Sequence, residues 1–108
     1  MSTAARKRLP NRRASQTFDI EVGGRKYRCT VSRYADGRIG ELFLSNNKAG
    51  SDSDTAARDS AVVASIALQH GVPLETIRRA LLRDGSGKAS GPLGTALDIL
   101  AVEDGGGR

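Results

Sequence analysis

Two tight-turn signals, Gly23-Gly24 and Asp36-Gly37, cut residues 17 to 46 into three short runs. Thr17 to Val22 alternates strictly, with Phe18, Ile20 and Val22 on one side and Thr17, Asp19 and Glu21 on the other. Arg25 to Tyr34 alternates again and sets Tyr27, Cys29 and Val31 together, with Lys26, Arg28, Thr30 and Ser32 opposite. Arg38 to Asn46 is a third strand whose alternation is blurred by Leu42-Phe43-Leu44. Strands joined by such short turns must pair as antiparallel neighbours, so this half of the chain is a meander.

The second half reads as helices. Ser51, Asp52 and Ser53 are N-cap candidates for a helix over residues 54 to 70. Ala56, Ser60, Val63, Ala67 and His70 form its stripe, with Ile66 beside it, and Gly71 is placed to end it. Pro73 opens a second helix to about Leu82, with Leu74, Ile77 and Leu81 inward and Arg78 and Arg79 outward. Residues 83 to 91 read as a loop. Pro92 opens a third helix, whose core side is Leu93, Leu97 and Leu100, with Ala96 close by. The expected fold is α+β: a three-stranded antiparallel β-meander followed by three α-helices packed on one face. With 108 residues and four aromatics, one domain with an aliphatic core is the ceiling. Its sheet has two open edges, so pairing with a second copy is expected, with Leu42, Phe43 and Leu44 as dimer contacts.

The net charge of +5 sits at one end. Arg6, Lys7, Arg8, Arg12 and Arg13 supply it, and without them the remaining 12 basic and 12 acidic residues cancel. Residues 1 to 16 are expected to be a disordered basic tail, 17 to 102 a single domain, and 103 to 108 a flexible C-terminal tail. The basic tail is either a solubilising arm or a non-specific nucleic-acid contact, aided by Arg78 and Arg79. Only Tyr27 and Tyr34 stand among basic residues as stacking platforms. No apolar run suits a membrane span or a signal peptide, and the expected location is cytoplasmic.

Residues that carry chemistry are few. One Cys and one His exclude a disulfide framework and the ligand set of an ordinary zinc site. Gly85-Ser86-Gly87-Lys88 lacks the first glycine, the Ser or Thr after the lysine, and the preceding strand of a phosphate loop. Lys48, Gly50 and Ser51 precede a helix and form either a plain capped loop or an anion site, with Asp52 and Asp54 competing. Cys29 reads as a core residue, and His70 as a charge suited to a helix C-terminus. No catalytic residue, metal or cofactor is expected.

Several phrases, in order, resemble the TSCPD domain over roughly residues 14 to 102. They are Asp36-Gly37-Arg38, Glu41 to Leu44 with Lys48-Ala49-Gly50-Ser51, Ala64 to Gly71, Gly71-Val72-Pro73-Leu74-Glu75-Thr76-Ile77, and Gly91-Pro92-Leu93-Gly94-Thr95-Ala96-Leu97. That family occurs at the C-terminus of adenosylcobalamin-dependent ribonucleotide reductases and as small stand-alone proteins. Its name records a Thr-Ser-Cys-Pro-Asp stretch, which falls here on Ala89, Ser90, Gly91, Pro92 and Leu93. Only Ser and Pro remain, so the resemblance implies a branch that kept the fold without the cysteines. It implies a non-catalytic binding or accessory module whose partner is itself, a protein linked to nucleotide reduction, or nucleic acid. Ribonucleoside-diphosphate reductase activity would be inherited by name alone, since one cysteine cannot supply a radical site and a reducing pair.

Overall fold

The computed structural model describes residues 5–11 and 14–103. Strands β1 (Ser15–Val22), β2 (Arg25–Arg33) and β3 (Ile39–Asn46) pair antiparallel in the order β1-β2-β3. Helices α1 (Asp52–Gln69), α2 (Leu74–Ala80) and α3 (Pro92–Glu103) follow. This is the expected α+β meander with helices against it. Gly23 and Gly24 both take positive φ, 61° and 76°, as a two-residue hairpin turn of primed type requires. That turn sets the register Phe18↔Cys29 and Ile20↔Tyr27, which puts the alternating apolar side chains on one face.

The core lies between that face and α1 and α3. Ile20, Tyr27, Cys29, Val31, Leu42 and Leu44 meet Ala57, Ala61, Ala64 and Leu68 of α1 and Leu93, Ala96, Leu97 and Leu100 of α3. The Leu42-Phe43-Leu44 run resolves into plain alternation. Leu42 and Leu44 are buried, and Phe43 is 43% exposed.

Helix α1 turns to the sheet the stripe that neighbours Ala56, Ser60, Val63 and Ala67. It buries Ala57, Ala61, Ala64, Ser65, Leu68 and Gln69, and it exposes Val62, Val63, Ile66 and His70. The reason lies in the sheet. Ser65 Oγ accepts from Leu42 N at 2.9 Å, and its single proton lies between Leu42 O at 3.0 Å and Ala61 O at 2.8 Å. Asp54 Oδ1 accepts from Asn46 N at 2.9 Å, and Gln69 Nε2 donates to Gly40 O at 2.9 Å. Three buried polar side chains of α1 therefore satisfy the outward backbone groups of β3 at three points. The expectation of two open edges is corrected: α1 covers β3, and β1 is the remaining edge strand.

Ser65→Ala leaves Leu42 N–H buried without a partner. We expect it to cost about 1–2 kcal/mol in urea unfolding. An unchanged midpoint would show that water reaches this edge.

Helix α2 ends at Ala80, two residues short of the expected boundary. Leu81 turns extended because Arg83 bridges Ala89, and Ser90 N donates to Leu82 O at 3.0 Å. The stretch read as a loop is thus a small paired turn that fixes where α3 begins.

Candidate interaction groove

Helix α1 sits on β3 and α2 leans away from it, leaving a channel between the two helices. The channel holds about 560 Å³ and is lined by Ser60, Val63, Ala64 and Ala67 of α1, Thr76, Ile77 and Ala80 of α2, and Leu81, Leu93 and Asp59. Its walls are almost wholly apolar. Small side chains at Ser60, Ala67 and Ala80 keep it open, and Leu93 and Ala64 form its floor. Ser60, Leu81 and Leu93 are shared with a second hollow of about 370 Å³, which extends past Ala56 to Tyr27, Gly91 and Pro92. The two make one trough along α1. Beside it stand large apolar side chains in solvent: Val62 is 52% exposed, Val63 67%, Ile66 39% and Leu82 78%. Clustered exposure of this kind marks association surfaces more often than isolated apolar residues do.

The stripe of small residues expected to approach a sheet or another helix, Ala56, Ser60, Val63 and Ala67, lines the trough, with α2 across it.

An ion-pair network fixes the far wall. Asp98 Oδ1 accepts from Arg78 Nε at 2.7 Å and from Arg83 Nη2 at 2.7 Å, while Arg83 Nη1 reaches Asp98 Oδ2 at 2.9 Å. Glu75 accepts from Arg78 at 3.0 Å and from Arg79 at 2.8 Å. Arg78 and Arg79, expected as nucleic-acid contacts, are thus engaged by acids of the same chain. The Arg83 and Arg78 guanidiniums hold the Asp98 carboxyl below its ordinary 3.8, and Arg79 and Arg78 hold Glu75 below 4.5. A depressed folded-state value means stability is present above the ordinary value and lost as pH falls through the lower one. We expect Arg83→Gln to be less stable than the parent at pH 7, with the gap narrowing as pH falls below the ordinary carboxylate value and on through the lowered one. A gap of constant size down to pH 2 in urea titrations would count against this.

The loop before α1 carries its own anion. Ser51 is the N-cap, its Oγ accepting from Asp54 N at 3.2 Å. Asp54, 2% exposed, accepts from Asn46 N at 2.9 Å, Gly50 N at 3.4 Å and Arg58 Nε at 2.8 Å. The Asn46 backbone bond, then Arg58, holds its carboxyl below the usual range. Gly50 N–H, one of the expected anion donors, is already used. Lys48 donates its backbone N–H to Asn46 Oδ1 at 2.9 Å, and its residue is exposed.

Of the basic tail, Arg6, Lys7 and Arg8 are described, while Arg12 and Arg13 lie outside the described residues. Arg6 Nε donates to Gln69 Oε1, and Lys7 N donates to Gln69 O at 2.8 Å. Tyr34 Oη donates to Lys7 O, and the Lys7 ammonium and the Arg38 guanidinium lie 5.1 and 5.0 Å from the Tyr34 ring centre. Tyr34 is 7% exposed and Tyr27 6%, so neither ring offers a face on which a base could stack. Arg8 is exposed. Of the expected dimer contacts, Leu42 and Leu44 face the core, and only Phe43 reaches solvent, with the Arg58 guanidinium 5.0 Å from its ring centre.

Cys29 is fully buried, and burial pushes its thiol up to about 12. It stays protonated and unreactive at neutral pH. A Cβ built at Gly91 meets nothing within 4 Å. Gly91 thus opens onto the trough, with room for a side chain. Among the described residues no helix is long and apolar enough to cross a membrane.

The model of the TSCPD domain family matches residues 3–101. The chain is 41% identical to a vitamin B12-dependent ribonucleotide reductase of Agrobacterium fabrum over 70 residues, covering 65% of this chain and 6% of that protein. It is 41% identical to the enzyme of that name from Streptantibioticus cattleyicolor, covering 66% of this chain and 12% of the other. The Rhodopirellula baltica enzyme is 40% identical over 67% of this chain and 7% of its own length. The match thus spans a small part of each of these curated relatives. No solved structure gives a significant match.

Proposed function

Since the chain belongs to the TSCPD domain family across residues 3–101, we propose that it is a non-catalytic module of that type, acting by protein association through the trough along α1. The observation that carries this reading is the apolar channel of about 560 Å³ flanked by solvent-exposed Val62, Val63 and Ile66. An α-helical ligand fits such a channel, because small side chains on both walls permit close approach of a third helix. In the relatives the same domain is a minor part of a long polypeptide. A domain so placed has neighbouring protein beside it, and an apolar trough suits such a neighbour. That supports an accessory role beside nucleotide reduction. The glycine at the family's cysteine position and the inert Cys29 support association over thiol chemistry.

The test is affinity capture from the native cell with the parent chain and with Val63→Asp, after nuclease treatment. Retention of a protein by the parent, and its loss with the variant, is expected. Equal retention by both would end the assignment to this surface, and signal lost only on nuclease treatment would favour nucleic acid bound by the tail.

A further inference from the structure

We infer that a second copy of this chain docks antiparallel along the exposed stripe of α1 that borders the trough; this rests on the association reading above. Thr55, Asp59, Val62, Val63, Ile66 and His70 are all exposed and share one stripe of α1. The stripe is symmetric about a point between Val62 and Val63. A twofold axis there sets Val62 against Val63 of the other copy, Asp59 against Ile66, and Thr55 against His70. Each copy presents the same apolar centre, Val62, Val63 and Ile66, which is what a self-complementary interface requires.

Charge selects the direction. Antiparallel docking separates the two Asp59 carboxylates by about 10 Å along the axis at 1.5 Å per residue, whereas parallel docking would bring them face to face. It also brings Asp59 within about one turn of the partner copy's His70, the single histidine. Length sets the strength. Helix α1 has 18 residues and is about 27 Å long, and one helix face of that length covers less than the ~800 Å² per partner of a standard interface, so a weak, reversible dimer, on the order of micromolar, is expected.

Sedimentation equilibrium of the full chain from about 1 to 500 μM reads this directly, across the expected micromolar midpoint. A concentration-dependent dimer is expected, weakened at least tenfold by Val63→Asp, a substitution at a position already 67% exposed. Val63→Cys tests the register without adding a charge, and mild oxidation should link it to a covalent dimer while the parent stays unlinked. A chain monomeric throughout overturns the proposal, as does a dimer indifferent to Val63→Asp. If the chain is monomeric and Val63→Asp still releases a captured protein, association through the trough stands and only the second copy falls.

Discussion

Leu44→Ala is expected to lower the unfolding free energy by about 3 kcal/mol, while Phe43→Ala, one residue away, costs less than about 1 kcal/mol. Leu44 is 0% exposed and belongs to the core cluster, so its truncation leaves a cavity that the surrounding alanines cannot close. Phe43 points to the other face and is 43% exposed. Truncating it removes a partly wet ring and the contact with Arg58, worth about 0.5–1 kcal/mol at an exposed site. For a domain of this size the first change should lower the melting temperature by roughly 10–20 °C. Calorimetry of both variants decides it. Comparable losses would mean that the run is buried on both faces, and that β3 seats on something besides α1.

Gly40→Ala is the second large effect, at about 2–3 kcal/mol. An added Cβ would stand 2.7 Å from Tyr34 Cε2 and 2.9 Å from both Tyr34 Cζ and Leu9 Cδ1. Such approaches force the neighbours to move, and Tyr34 has little freedom to do so. Its hydroxyl bonds Lys7 O, and Lys7 and Arg38 crowd its ring. Two readouts should therefore change together. Stability falls, and the segment around Arg6 to Leu9 is cut faster by trypsin, because displacing Tyr34 removes its anchor on the domain. A loss of stability with unchanged cleavage would separate the segment from Tyr34. Tyr34→Leu in the Gly40→Ala background should recover part of the stability by relieving the overlap.

The elements legible in the sequence are those whose physics is local. Alternation of period two around Gly23-Gly24 set which faces of β1 and β2 turn inward, because a one-residue slip would expose every apolar side chain at once. The caps and apolar spacing of α3 likewise placed Leu93, Leu97 and Leu100 correctly. For α1 the spacing leaves open whether the sheet or another helix takes the stripe. That helix carries alanines on several sides, at 56, 57, 61, 64 and 67. Small side chains that fit against a sheet fit equally well along an open trough, so apolar count alone could not rotate it. The two arginines proposed for nucleic acid lie on the outward side as expected, yet Asp98, 20 residues from Arg78, engages one of them. No local pattern announces that pairing.

Residue order alone therefore determined the meander and the inward sets of β1, β2 and α3, since each follows from spacing along the chain. Only the folded chain decided the phase of α1, the closure of β3 and the trough beside α2. Those depend on Asp54, Ser65 and Gln69 finding backbone groups 8, 23 and 29 residues away. A buried polar side chain is favourable only against such a partner, and its partner is chosen by the packing of helix on strand.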